Sequence, residues 1–173
     1  MAYRWVKPLV AVSCALLALP AVARPAPPAC DGRVFAVTHF ELATAYGDVA
    51  PAGPSVGDTR SFHGPVYRPG SRTVKLGTIV GAGITAAVNE PVIGQELRAV
   101  NMGFLLPNLA NQIAVGGYAA YPMTSATLAR RTVTYRPITG GTGRYAGARG
   151  WLKTTHFARG YWRQEFHLCR TAR

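Results

Sequence analysis

The sequence predicts an all-β protein and, within that class, an eight-stranded antiparallel β-barrel. Two observations lead there. After residue 30 helical periodicity gives way to eight short runs rich in Val, Thr, Tyr and Phe, each bounded by Gly, Pro, Asn or Ser. Two cysteines, Cys30 and Cys169, stand just before the first run and at the end of the last. A bond between them requires the first and last strands to be neighbours, which a closed sheet provides and an open one prevents. Closure also removes the unpaired edges that invite aggregation. A two-sheet sandwich of the same runs is the rival architecture.

The elements are read in chain order. Residues 1–23 have the form of a secretory signal peptide: the cationic start MAYRWVK, the apolar run PLVAVSCALLALPAVA and the small-x-small site Ala21-Val22-Ala23. Pro20 interrupts the run, which is too short for an integral membrane span. Cys30 follows Pro27-Pro28-Ala29 rather than a lipobox, so no lipoprotein is expected. Residues 24–32 form a short extended leader, 33–169 the barrel domain and 170–173 a C-terminal tail. The expected location is secreted, either extracellular or periplasmic. Cys14 leaves with the signal, and an even pair in an exported chain reads as a Cys30–Cys169 disulfide. Closing so long a loop stabilises by roughly 4–5 kcal/mol in the chain-entropy account.

The candidate strands are 33–43, 59–67, 74–87, 96–106, 112–121, 131–138, 148–157 and 160–169. Arg159-Gly160 makes a tight turn between the last two, and YGDVAPAGPSVGD, 46–58, is a lid or edge loop. Alternation in the first strand puts Val34, Ala36, Thr38, Phe40 and Leu42 on one face, and Phe35, Val37, His39 and Glu41 on the other. In the fourth, Val100, Met102, Phe104 and Leu106 oppose Leu97, Ala99, Asn101 and Leu105. Both faces are apolar, so a second subunit is expected against the outer one, making a homo-oligomer.

The formal charge of +12 falls by the two of Arg4 and Lys7 to +10 after removal of residues 1–23. That balance suits acidic surfaces such as wall polymers or anionic lipid. The arginines are scattered, with no basic helix or interleaved aromatic–basic motif, and nucleic acid is not an expected partner. His39, His63, His156 and His167 lack metal-ligand spacing, so no metal site is expected. No G-x-S-x-G motif occurs.

PITGGTGRYAGARG, 137–150, holds five glycines. Gly141-Thr142-Gly143-Arg144-Tyr145-Ala146 matches G-x-G-x-x-A, but a dinucleotide turn must open a helix, and WLKTTHF resumes strand composition. No G-K-[ST] follows, which excludes a P-loop. The glycines instead read as a β-connection needing positive φ or close backbone approach.

ITGGTGRYAGARGWLKT resembles the GGTG-x-[FY]-x-x-A-R-G signature of dirigent proteins and the related allene-oxide-cyclase-like barrels. VGDTRSFHGPVYRPGSRTVKLGTIVG is similar to their preceding segment. The resemblance covers most of 33–169 and implies a calycin-like eight-stranded barrel, commonly trimeric in plant dirigents, with no metal or organic cofactor. It implies binding of a small apolar or phenolic molecule and guidance of its coupling or cyclisation, with a separate oxidase supplying radicals in the dirigent case. The barrel's contribution would be orientation and exclusion of water, with one carboxylic acid moving a proton. A lipocalin-like carrier or a basic wall-associated binder is the alternative.

Glu41, Asp58 and Arg149 are the candidate catalytic residues. Glu41 shares a face with His39 and, if internal among aromatic groups, would be a raised-pKa acid; if that face points outward, both are solvated. Asp58 sits at the G-D position of the resembled segment, where a turn-forming role is equally open. Arg149 matches the arginine of the A-R-G signature, suited to a developing oxyanion or to a structural ion pair. His39, Arg144 and Tyr145 are candidate ligand contacts. Arg144 replaces the acidic residue that follows GGTG in some coupling dirigents, which argues against the plant-type reaction. Tyr145 and Trp151 also suit packing.

Overall fold

The computed structural model describes Cys30 and residues 32–169. The signal peptide read over 1–23, the leader apart from Cys30 and Gly32, and the tail 170–173 lie outside the described residues. Nine strands follow: β1 (Val34–His39), β2 (Ala43–Gly47), β3 (Thr59–Tyr67), β4 (Lys75–Val88), β5 (Gln95–Leu105), β6 (Gln112–Pro122), β7 (Thr132–Gly141), β8 (Gly150–His156) and β9 (Trp162–Leu168). All pairings are antiparallel, in the order β1-β9-β8-β7-β6-β5-β4-β3, and β3 returns to β1 at Thr38–Tyr67. Eight strands therefore close into a barrel. No helix among the described residues is long and apolar enough to cross a membrane.

The ninth strand comes from the expected first run, which is one path broken at Phe40–Leu42. Its first half, β1, pairs with β9 along its whole length; its second half, β2, pairs with β3 from Ala43–His63 to Gly47–Thr59. The frame on β3 shifts by one residue across the break, as at a bulge, and lets the path leave one neighbour for the other. Alternation alone does not show such an exchange, so the sequence reading joined the halves and placed β2 partly in the lid loop.

Inward residues divide the lumen into two storeys. At one end Phe35, Val37, Val66, Phe104, Leu106, Ile113, Val115, Ile138, Tyr145, Leu152 and Phe166 form a packed apolar plug. Phe166 stacks on Phe35 at 4.7 Å between ring centres and takes Phe104 edge-on at 4.8 Å. At the other end the same inward rows turn polar. On β5 the row runs Glu96, Arg98, Val100, Met102, Phe104, every one buried.

The glycine motif belongs to the plugged end. Gly143–Tyr145 form one 3₁₀ turn, and Thr142 holds the neighbouring connection by donating to the Ala110 carbonyl at 3.0 Å. Gly143 has φ 57°, and a Cβ there would collide with the Ala110 carbonyl. Gly150 has φ 130° and lies against the His167 carbonyl just as closely. The motif thus seals the barrel floor and lets Tyr145 enter the plug.

Cys30 and Cys169 are bonded, with Cα atoms 4.5 Å apart and 139 residues between them in sequence. The bond lies at the plugged end, next to the β1–β9 seam. Peptide mapping without reductant should recover the two cysteines in one linked species. Cys169→Ser should lower the unfolding free energy by up to about 4–5 kcal/mol. Two free thiols in the native protein would contradict the pairing.

Candidate functional site

The polar storey surrounds a cavity of ≈ 180 Å³. Its apolar wall is Leu42, Phe62, Ile79, Met102, Leu128 and Trp162; its polar groups include His39, Glu41, Arg60, Tyr121, Arg136, Thr154 and Gln164. A second cleft of ≈ 480 Å³ outside it shares Thr44, Arg60 and Ala126, so the chamber borders a wider surface groove.

Two polar clusters line the chamber. In the first, Thr154 donates to Gln164 Oε1 at 2.7 Å, and Gln164 Nε2 lies 3.0 Å from His39 Nε2. His39 Nδ1 lies 2.9 Å from the Phe40 carbonyl. One proton arrangement satisfies all three contacts: Nδ1 donates to the carbonyl and Nε2 accepts from the amide. Burial drives the His39 pKa down to about 4, against the raising effect of the Phe40 bond and with a small lowering by His156. His39 is therefore neutral and both its nitrogens are engaged. Trp162 is sandwiched between the rings of His39 and His156, at 5.1 and 4.1 Å.

The second cluster is cationic. Glu96, 0% exposed, pairs with Arg98 and with Arg60 Nη1 at 3.1 Å. Arg98 also donates to the carbonyls of Ser125 and Ala126, and its guanidinium lies 4.3 Å from the Tyr121 ring centre. Arg136, 3% exposed, donates from Nη2 to the Tyr121 hydroxyl at 2.8 Å and from Nη1 to Thr134 Oγ1 at 3.1 Å. The β6–β7 ladder has ended by this point: it pairs Ile113–Val115 with Ile138–Gly141 and stops before Pro137, which has no N–H to give. The Arg136–Tyr121 bond spans the two strands where backbone pairing no longer does.

The sequence-derived candidates are distributed unevenly around this chamber. His39 lines it and is buried. Glu41, just past the end of β1, also lines it but is exposed, at the mouth rather than among aromatic groups. Asp58 is buried elsewhere: its carboxylate accepts from Tyr46 Oη at 2.7 Å, the Val49 and Ser55 amides at 3.0 Å, and Ser55 Oγ at 3.0 Å. Those bonds, the Val49 amide first, hold its pKa well below the usual carboxylate range and tie down the loop after β2. Arg149 is exposed and donates to the carbonyls of Thr139 and Ala148. Arg144 donates to the Leu106 carbonyl and lines a separate basic cleft with Arg33, Arg68 and Lys75 at the plugged end, while Tyr145 is in the plug. Among the described residues no three His, Cys, Asp or Glu side chains converge as a metal site would require.

Sequence reasoning did not single out Arg60, Glu96, Arg98, Tyr121, Arg136 or Gln164. Parity was the available signal. Glu96 and Arg98 share the alternation of Val100 to Phe104, and Arg136 that of Ile138, so a closed barrel must turn them inward.

Fold and cavity together define a class: closed antiparallel barrels plugged at one end and chambered at the other. Solved structures share the barrel fold. The chain matches pyocyanin demethylase with a TM-score of 0.59 at 20% identity, over 79% of this chain and 99% of that one. It matches AbnU, an exo-specific intermolecular Diels-Alderase, at 0.52 and 17%, over 79% and 98%. The pterocarpan synthase dirigent protein GePTS1 matches at 0.54 and 15%, over 82% and 87%. The dirigent-like barrel expected from the glycine signature is the fold observed. No family model and no curated protein matches the chain in sequence.

A buried neutral histidine makes stability depend on pH. Its folded pKa of about 4 lies below the unfolded 6.5, so the unfolded chain binds the extra proton between those values. The contribution is complete above pH 6.5 and is lost as pH falls to about 4, a change on the order of 3 kcal/mol. Denaturant unfolding of the parent should weaken across that window, and His39→Gln should flatten the profile. Identical slopes in parent and variant would remove His39 as the cause.

Proposed function

We propose that the protein binds a small, largely apolar organic molecule in the polar-storey chamber and guides its coupling or cyclisation. The observation that carries this reading is the division of the lumen. A barrel serving only as a scaffold would fill both storeys with apolar side chains, whereas here buried hydrogen-bonding groups surround a cavity with an aliphatic and aromatic wall. An apolar cavity of about 150 Å³ holds benzene, so ≈ 180 Å³ takes a body of about one ring, with the remainder reaching into the outer cleft. Likeness to barrels named as a demethylase, a Diels-Alderase and a pterocarpan synthase supports a chemical role.

In this reading the wall fixes one conformer and excludes water, and the charged groups stabilise developing charge. Glu41 is the carboxylate that lines the chamber, and its place at the mouth suits proton exchange between bound molecule and solvent. Radical coupling would draw its radicals from a separate oxidase. Carriage without chemistry is the second reading, favoured by the His39–Gln164–Thr154 chain, whose bonds engage both nitrogens of His39.

Export belongs to the same proposal, supported by the signal-like 1–23 segment and by the disulfide. So does self-association. Ile84 and Tyr118 are exposed on the outer surface and flank Ala99 across β4, β5 and β6, with Val80 nearby. Copies of the chain are the proposed cover, as a trimer by resemblance to plant dirigents.

Mass spectrometry of the protein purified from its native secretome should recover a retained small molecule. With that molecule as substrate, Glu41→Gln should slow turnover at least tenfold while leaving the melting temperature unchanged. Binding without any turnover in the parent would select the carrier. By sedimentation the protein at micromolar concentration should exceed its monomer mass, and Tyr118→Glu should shift it toward monomer; a monomeric parent would refute the assembly.

A further inference from the structure

Arg136 is a buried cation whose charge nothing nearby cancels. Both engaged nitrogens, Nη1 and Nη2, meet neutral hydroxyls, and Nε, also buried, has no partner. Among the described residues no carboxylate pairs with it. The carboxylate of the adjoining cluster, Glu96, is already shared by two guanidiniums, Arg60 and Arg98. Two arginines therefore share one buried carboxylate and Arg136 has none of its own; Arg60 and Arg136 face the chamber. Holding a guanidinium out of water without a counter-charge costs several kcal/mol. A chain selected only for stability would place an aliphatic residue here, as Ile138 does two positions on.

Resting on the reading of the lumen as a small-molecule chamber, we propose that the ligand carries an anionic oxygen, a carboxylate or phenolate on an apolar body, and that Arg136 and Tyr121 bind that oxygen. Tyr121 supports this. Its hydroxyl oxygen accepts from Arg136, which leaves its own proton to donate, and the residue lines the chamber at 8% exposure. A charged oxygen there receives a hydroxyl proton and the field of a guanidinium, both held in place before it arrives. The other polar cluster, His39 with Gln164, is neutral and closed on itself, so the positive charge of the lining lies with Arg60 and Arg136, and Glu41 is exposed at the mouth. An apolar ring against Leu42, Phe62, Met102 and Trp162, with its anion at Arg136, fits that polarity.

The test uses the purified protein in its own assembly and three probes of matched size: benzoate, its neutral isostere benzamide, and toluene. By calorimetry benzoate should bind at least tenfold more tightly than benzamide. Arg136→Met should erase that preference yet bind toluene as the parent does. Without any probe this variant should melt at or above the parent temperature, because it sheds a buried charge; melting far below the parent would make Arg136 a structural residue and overturn the proposal. Tyr121→Phe, which keeps the charge and loses the donor, should weaken benzoate severalfold while leaving toluene alone. Equal affinity for benzoate and benzamide, with toluene bound, would overturn the anion assignment and leave the chamber reading intact. Failure of all three probes to bind would overturn both.

Discussion

Closure through β1 is the constraint on which the rest of the molecule depends. Six residues pair with β9 along their full length and reach β3 at Thr38–Tyr67, and that short seam turns a sheet into a tube. Once the tube is closed, every second side chain has one destination. Strand alternation then becomes a sorting rule, and no inward residue can turn out to solvent without breaking the ladder. The disulfide reinforces the seam beside the plug.

The two storeys answer different needs of one short tube. An eight-stranded barrel is just wide enough for its interior to be filled by side chains or to hold one small ligand. Here it does both in sequence along its axis. Phenylalanine stacking and the glycine turn make the plugged end rigid. Rigidity at the floor lets the upper rows carry charged groups that would otherwise lower stability without return. Asp58, outside the chamber, performs a related task by ordering the loop after β2 beside the outer cleft.

Much of this was legible before any coordinates. The eight strands, their antiparallel order, the cysteine pair and the division of β1 into two faces follow from alternation and punctuation, whereas which of those faces turns inward stayed open. The glycine signature was read correctly as a β-connection, since residues after Gly150 resume the period of a strand. The exchange of partners at Phe40–Leu42 was not legible, because both halves look like one strand and only register distinguishes them. Arg136 and Glu96 were passed over for a similar reason. A lone charge in a strand has the same appearance whether it faces water or a lumen, and only the parity of Ile138 or Val100 beside it hints at the answer.

The sequence by itself determined the class of fold and the residues that must share a face, because side-chain period and turn chemistry are local properties of the chain. Which charges meet, which carboxylate is left at the mouth and which is locked in a loop were decided by the tertiary structure alone. Those contacts join residues distant in sequence, as Arg60 meets Glu96, and their geometry comes from the stagger and curvature of a closed sheet, which no local pattern encodes.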